Sequence, residues 1–136
     1  MNKISPWIIA AALCFAQGAT VALSQKISAP VYQPGIVTPT AINVTRSPYA
    51  VQPSDSLLYV DSSGGAVVID LQPAAARHGM LLEIKEVSGT AATAGYGISI
   101  VPNGSETVEG LNPLSISANY GGFRLYPATS KYVIAP

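Results

Sequence analysis

From residue 49 to the C-terminus, no apolar run lasts long before a turn-forming residue interrupts it, and this limits what the chain can build. Short apolar runs recur at 57–60, 66–71, 80–87, 98–101, 114–117, 123–126 and 132–134. Between them lie Ser62-Ser63-Gly64-Gly65, Pro102-Asn103-Gly104-Ser105 and Tyr120-Gly121-Gly122. Such segments are too short for stable helices and carry the turn residues that bound strands. Several alternate. In the run 80–87, Leu82, Ile84 and Glu86 fall on one face; Ile98 and Ile100 share a face, as do Leu114 and Ile116. One five-residue segment, 73–77, is a helical candidate. The reading is all-β: a compact antiparallel β-sandwich or small barrel of about seven strands. Within it, the turn at 62–65 is expected to send one strand back as the next.

Composition adds a second constraint. Apolar residues make up 49% of the chain and charged residues only 10%, against roughly 25% charged in ordinary soluble domains. So few charges do little to keep copies apart, which favours an oligomer or an assembly component. Seven bases balance seven acids, and without a basic patch there is no electrostatic footprint for nucleic acid. No acid precedes Asp55, whereas all seven follow from there. This break puts a domain boundary near residues 46–54.

Upstream of the β-module (49–136), two segments differ in character. Residues 1–24 are apolar and alanine-rich, with Trp7, Ile8, Ile9, Leu13 and Phe15 as the bulky side chains. They fit an anchor packed against other chains, with those five residues as the anchoring set. They also fit a secretory signal, with Lys3 before an apolar core and small residues after it. A membrane span is marginal, because Gln17 and Gly18 interrupt a stretch that needs about 20 apolar residues. The lone Cys14 cannot form an intrachain disulfide and reads as a small hydrophobe. Residues 25–48 contain Pro30, Pro34, Pro39 and Pro48 among β-branched residues. Proline forbids a continuous helix there and favours extended backbone. The segment reads as an extended arm.

Chemistry is hard to find in the sequence. His78 is the single histidine, beside Gly79, and reads as a solvated turn residue. No cluster of His, Cys and acidic residues has the spacing of a metal site, so neither metal nor cofactor is expected. No glycine-flanked elbow surrounds a serine. Glu106 and Glu109 would face opposite sides of a strand and read as solvated surface residues. Arg77, Arg124 and Lys131 are isolated cations. The tyrosines at 49, 59, 96, 120, 126 and 132 could form a sugar-stacking surface, although core edges and subunit contacts are the commoner use. No catalytic residue is assigned.

The region 55–134 resembles a small β-domain of bacteriophage appendage proteins, including tail fibres, spikes and head fibres. The resemblance lies in DSLLYVDSSGGAVVIDL, the run from Leu71 through Ala75 to Gly79, LEIKEVSG, ISIVPNGSETVEG and YGGFRLYPATSKYVI. It departs where Gln72 separates Leu71 from Pro73, and where Tyr132 replaces a usual tryptophan. The resemblance implies a homotrimeric virion component whose β-module faces outward. At 136 residues the chain suits a head fibre or capsid decoration protein. Its expected partners are further copies of itself, the major capsid protein or other virion proteins, and a host-surface glycan. Tyr120, Phe123 and Leu125, in an apolar terminal hairpin, are the expected subunit contacts. The alternative is a secreted or membrane-tethered binding module, periplasmic or extracellular, exported through residues 1–24.

Overall fold

The computed structural model describes residues 37–136. The expected anchor (1–24), with Trp7, Ile8, Ile9, Leu13 and Phe15, and the first half of the expected arm (25–36) lie outside the described residues.

Nine strands form two mixed sheets among the described residues: β1 (Thr40–Asn43), β2 (Tyr49–Ala50), β3 (Leu57–Asp61), β4 (Val67–Asp70), β5 (Leu82–Glu86), β6 (Ile98–Val101), β7 (Leu114–Ile116), β8 (Gly122–Pro127) and β9 (Tyr132–Ile134). Two short 3-10 turns, Val44–Arg46 and Ala74–Arg77, complete the regular structure. The first sheet, sheet A, runs β1-β3-β5-β8-β9, and the second, sheet B, runs β2-β4-β6-β7. The all-β character is as expected, and seven of the nine strands fall on the seven apolar runs.

The pairing is not antiparallel throughout. The ladders β1–β3, β3–β5, β2–β4 and β4–β6 are parallel. Only β5–β8, β6–β7 and β8–β9 are antiparallel. Through β6 the chain alternates between sheets, so each odd strand and the even strand after it form one coil. Three such coils stack in register. The turn after β3 therefore makes no hairpin: it carries the chain from sheet A to sheet B. Gly65 N–H donates to Ser62 O (3.0 Å) and Ser63 N–H to the Asp61 carboxylate (2.9 Å), which closes that corner. Parallel neighbours need a long crossover, and here the crossover is the passage through the opposite sheet.

The coil length varies. In sheet A, Thr40 pairs with Leu58 and Leu58 with Ile84; in sheet B, Tyr49 pairs with Ile69 and Ile69 with Ile100. Longer corners after β4 and β5 account for the growth. The 3-10 turn Ala74–Arg77 occupies the first of them, where the helical candidate was expected.

One apolar core draws on both sheets. Ile42, Leu58, Val60, Leu82, Ile84 and Leu125 enter it from sheet A, and Val67, Ile69, Ile98, Ile100, Leu114 and Ile116 from sheet B. β4 and β6 bury alternate residues, as period-two patterning requires. Because β1 pairs along β3 and buries Ile42, and β2 buries Tyr49, the strand-forming unit begins by residue 40. The boundary read near residues 46–54 is too late, and the last part of the expected arm belongs to the first coil.

Candidate functional site

The residues that the sequence suggests for chemistry do not converge. His78 follows the 3-10 turn Ala74–Arg77 and is exposed. Glu106 is half-buried rather than solvated: both carboxylate oxygens accept from Ala74 N–H, at 3.2 and 3.0 Å. Glu109, exposed and in left-handed backbone (φ 49°), accepts from Ile134 N–H at 3.0 Å. Each carboxylate thus fastens a different stretch of backbone. Among the described residues, no group of three or more His, Cys, Asp or Glu side chains is placed to hold a metal.

Among the described residues, three charged side chains are buried. Glu86, fully inaccessible at the end of β5, accepts from the amides of Ser88 (2.8 Å), Gly89 (3.0 Å) and Tyr120 (2.6 Å), and from the Ser88 hydroxyl. Burial alone would raise its pKa. The hydrogen bonds from Ser88, Tyr120 and Gly89 outweigh burial and hold it down at about 2. Asp55 accepts from Tyr49 Oη (2.8 Å), Thr40 Oγ1 (2.8 Å) and Gln52 N–H (2.7 Å), joining the start of β1 to β2. Arg77 is buried and not the isolated surface cation its sequence context suggests; its guanidinium donates to Gln52 O (2.9 Å) and Asp55 O (2.5 Å). Charge-assisted bonds of this kind fix loops to strands. All three groups face the interior and clamp the corners of the coils.

The tyrosines divide between core and surface. Tyr49 and Tyr132 are buried; the Tyr132 hydroxyl donates to Gln72 O (2.7 Å), and burial pushes its pKa up to about 12. Tyr59, Tyr120 and Tyr126 are 41%, 61% and 46% exposed. Tyr59 on β3 and Tyr126 on β8 alternate with inward-facing core neighbours, Leu58 and Val60 in one case and Leu125 in the other. Both therefore project from the outer face of sheet A.

That face is the best candidate for recognition. Register aligns Leu57 with Glu83 and Glu83 with Arg124, and in the adjoining row Tyr59 with Lys85 and Lys85 with Gly122. Arg124 Nε donates to Glu83 Oε2 at 3.0 Å. Lys85 donates its ammonium to Tyr120 O across Gly122, where a side chain would meet Ile84 O at 2.6 Å. Beside Gly122 lies a shallow depression of about 260 Å³, bordered by Glu83, Lys85, Arg124, Ile134 and Pro136. An open sheet face with separated tyrosines and neighbouring charges can stack on a flat ligand and hydrogen-bond its edges.

Of the expected subunit contacts, Tyr120 is exposed, Phe123 is partly buried against the core and Leu125 is wholly inside it. Leu125 pairs with Leu82, and both side chains point inward, so it is not available to a second chain. Alternation along β8 separates Leu125 from its exposed neighbours Arg124 and Tyr126. The inward reading of Glu86 was legible in the alternation of β5. Nothing local in the sequence marks Asp55 or Arg77 as buried, because their partners lie on loops brought together by the stacking of coils. No protein-family model matches the chain, and a search of curated proteins finds no match.

Proposed function

We propose that the chain is a non-enzymatic structural component of a bacteriophage virion, a head fibre or capsid decoration protein acting as a homotrimer, and that it meets its target through the outer face of sheet A. The observation that carries the recognition part of this reading is the contrast between the two kinds of polar group. Glu86, Asp55 and Arg77 are turned inward and tied into the corners by hydrogen bonds, whereas Tyr59, Tyr126, Lys85 and the Glu83–Arg124 pair lie on an open sheet. The virion assignment rests on the resemblance of residues 55–134 to phage appendage domains. A host-surface glycan is the ligand class best suited to that face, since pyranose rings stack on tyrosine and their hydroxyls pair with charged edges.

The test uses the full chain on glycan arrays and on host cell envelopes. Saturable binding, lost by tenfold or more in a Tyr59→Ala/Tyr126→Ala variant that melts like wild type, supports the face as the site. Undiminished binding by that variant overturns it. Residues 1–24 also favour a second reading, export of the same module. Mass spectrometry of the chain purified from its native source separates the two: a start at Met1 or Asn2 supports the virion component, and a start at 20–25 supports export.

A further inference from the structure

The first coil ends both sheets with strands, β1 and β2, that have no neighbour on one side among the described residues. Such an edge offers backbone groups to any passing strand and is a standing risk of edge-to-edge association. We infer that this edge is guarded by two side-chain caps, Arg46 and Gln52, which occupy one outward carbonyl on each edge strand and prevent copies of this chain from joining coil to coil.

Hydrogen-bond direction identifies which carbonyls face outward. Val51 N–H donates to Asp70 O (3.0 Å), so the residues of β2 in phase with Val51 face β4, and Ala50 faces away. In sheet A, Glu83 N–H donates to Ser56 O and Val87 N–H to Val60 O. The even residues of β3 therefore bond to β5 and the odd ones to β1. In a parallel ladder only one member of each registered pair directs its amide group at the partner strand. Since Tyr59 does so, its registered partner Ala41 points outward.

The carbonyls of Ala41 and Ala50 are both taken. Arg46 Nη1 donates to Ala41 O at 2.5 Å, and Gln52 Nε2 donates to Ala50 O at 2.6 Å. Arg46 also lies over the Tyr49 ring, 4.8 Å from its centroid, which holds the guanidinium between the two edge strands. Prolines reinforce the guard. Pro39 and Pro48 immediately precede β1 and β2; each lacks the N–H that an added strand would need. At the opposite side of sheet A the same problem is met by backbone. Tyr132 N–H donates to Thr107 O (2.9 Å), Glu109 N–H to Tyr132 O (3.1 Å), and Ile134 N–H to the Glu109 carboxylate. Two unrelated devices thus cover the two edges of one sheet. Copies of this chain then associate by their faces rather than by extending the stack.

The experiment compares the full-length wild type with an Arg46→Ala/Gln52→Ala variant by light scattering across a hundredfold range of concentration, with circular dichroism to check the strand signal. The inference expects the variant to keep its strand signal and to at least double in mass, relative to wild type, as concentration rises. Should the double variant lose its fold, Gln52→Glu decides. That side chain is exposed, nearly the same size and unable to donate to Ala50 O, and the same concentration-dependent growth is expected. A folded variant whose mass matches wild type throughout overturns the inference.

Discussion

A carboxylate with no exposed surface sits where β5 meets its corner, and the corner is built around its charge. Four amides and two hydroxyls converge on Glu86, one of the amides from Tyr120, far along the chain. Its folded pKa of about 2 lies below the ordinary 4.5. The charged form is therefore favoured in the folded state. That contribution to stability is complete above about pH 4.5 and is lost as the pH falls towards 2. Melting temperature should drop across this window. Glu86→Gln should melt lower at neutral pH, by about 2 kcal/mol for buried donors left short of an acceptor, and should respond less to acid. Thermal melts from pH 2 to 7 check both; parallel curves for the two proteins would show that Glu86 is not the linked group. Gly89 belongs to the same corner. With φ at +72° and the Tyr120 ring 2.5 Å from where a side chain would start, it admits no larger residue without displacing the ring.

At the scale of elements, the first coil holds the clearest difference between sequence and structure. Prolines and β-branched residues up to position 48 read as a free extended arm, yet β1 lies along β3 and buries Ile42 against the core. Extended conformation was legible; that it would find a partner was not, because β3 lies 18 residues on (Thr40 to Leu58). The Asp55 carboxylate, bonded to both Thr40 and Tyr49, adds a polar tie between β1, β2 and the following loop. Removing residues 1–47 should therefore expose the edge of β3, strip Ile42 from the core and cost several kcal/mol, Ile42 alone contributing about 1.5–3. Removing residues 1–36 takes none of these contacts away. Urea titrations of the two truncations check this: the midpoint should fall sharply only for the longer deletion, and equal midpoints would mean that the first coil is dispensable.

On the scale of the whole molecule, the two sheets share one apolar cluster rather than having a core each. Winding the chain alternately through both sheets means that neither can separate without breaking every corner. Ile84 in sheet A and Ile100 in sheet B are equally inaccessible. Ile84→Ala and Ile100→Ala should each cost about 2–5 kcal/mol, and each should shift a single cooperative transition. Near-ultraviolet and far-ultraviolet melts should coincide in both variants. Two separated transitions in either would show that the sheets fold independently.

Local chemistry determined much of this protein from the sequence alone. Apolar runs too short for helices, interrupted by glycine, proline, serine and asparagine, fixed strand formation at seven of the nine strands. Period-two alternation fixed which side chains of β5, β6 and β7 turn inward, Glu86 among them. Pairing was decided only in three dimensions. A turn such as Ser62–Gly65 closes equally well between strands of one sheet or of two, and it gives no sign of which. Parallel partners sit 18 to 31 residues apart (Thr40 to Leu58, Ile69 to Ile100), at spacings that do not repeat. The burial of Asp55 and Arg77, the passage of β8 through the core at Leu125 and the exposed tyrosines of sheet A all follow from that pairing. They depend on contacts between coils, which local sequence patterns do not encode.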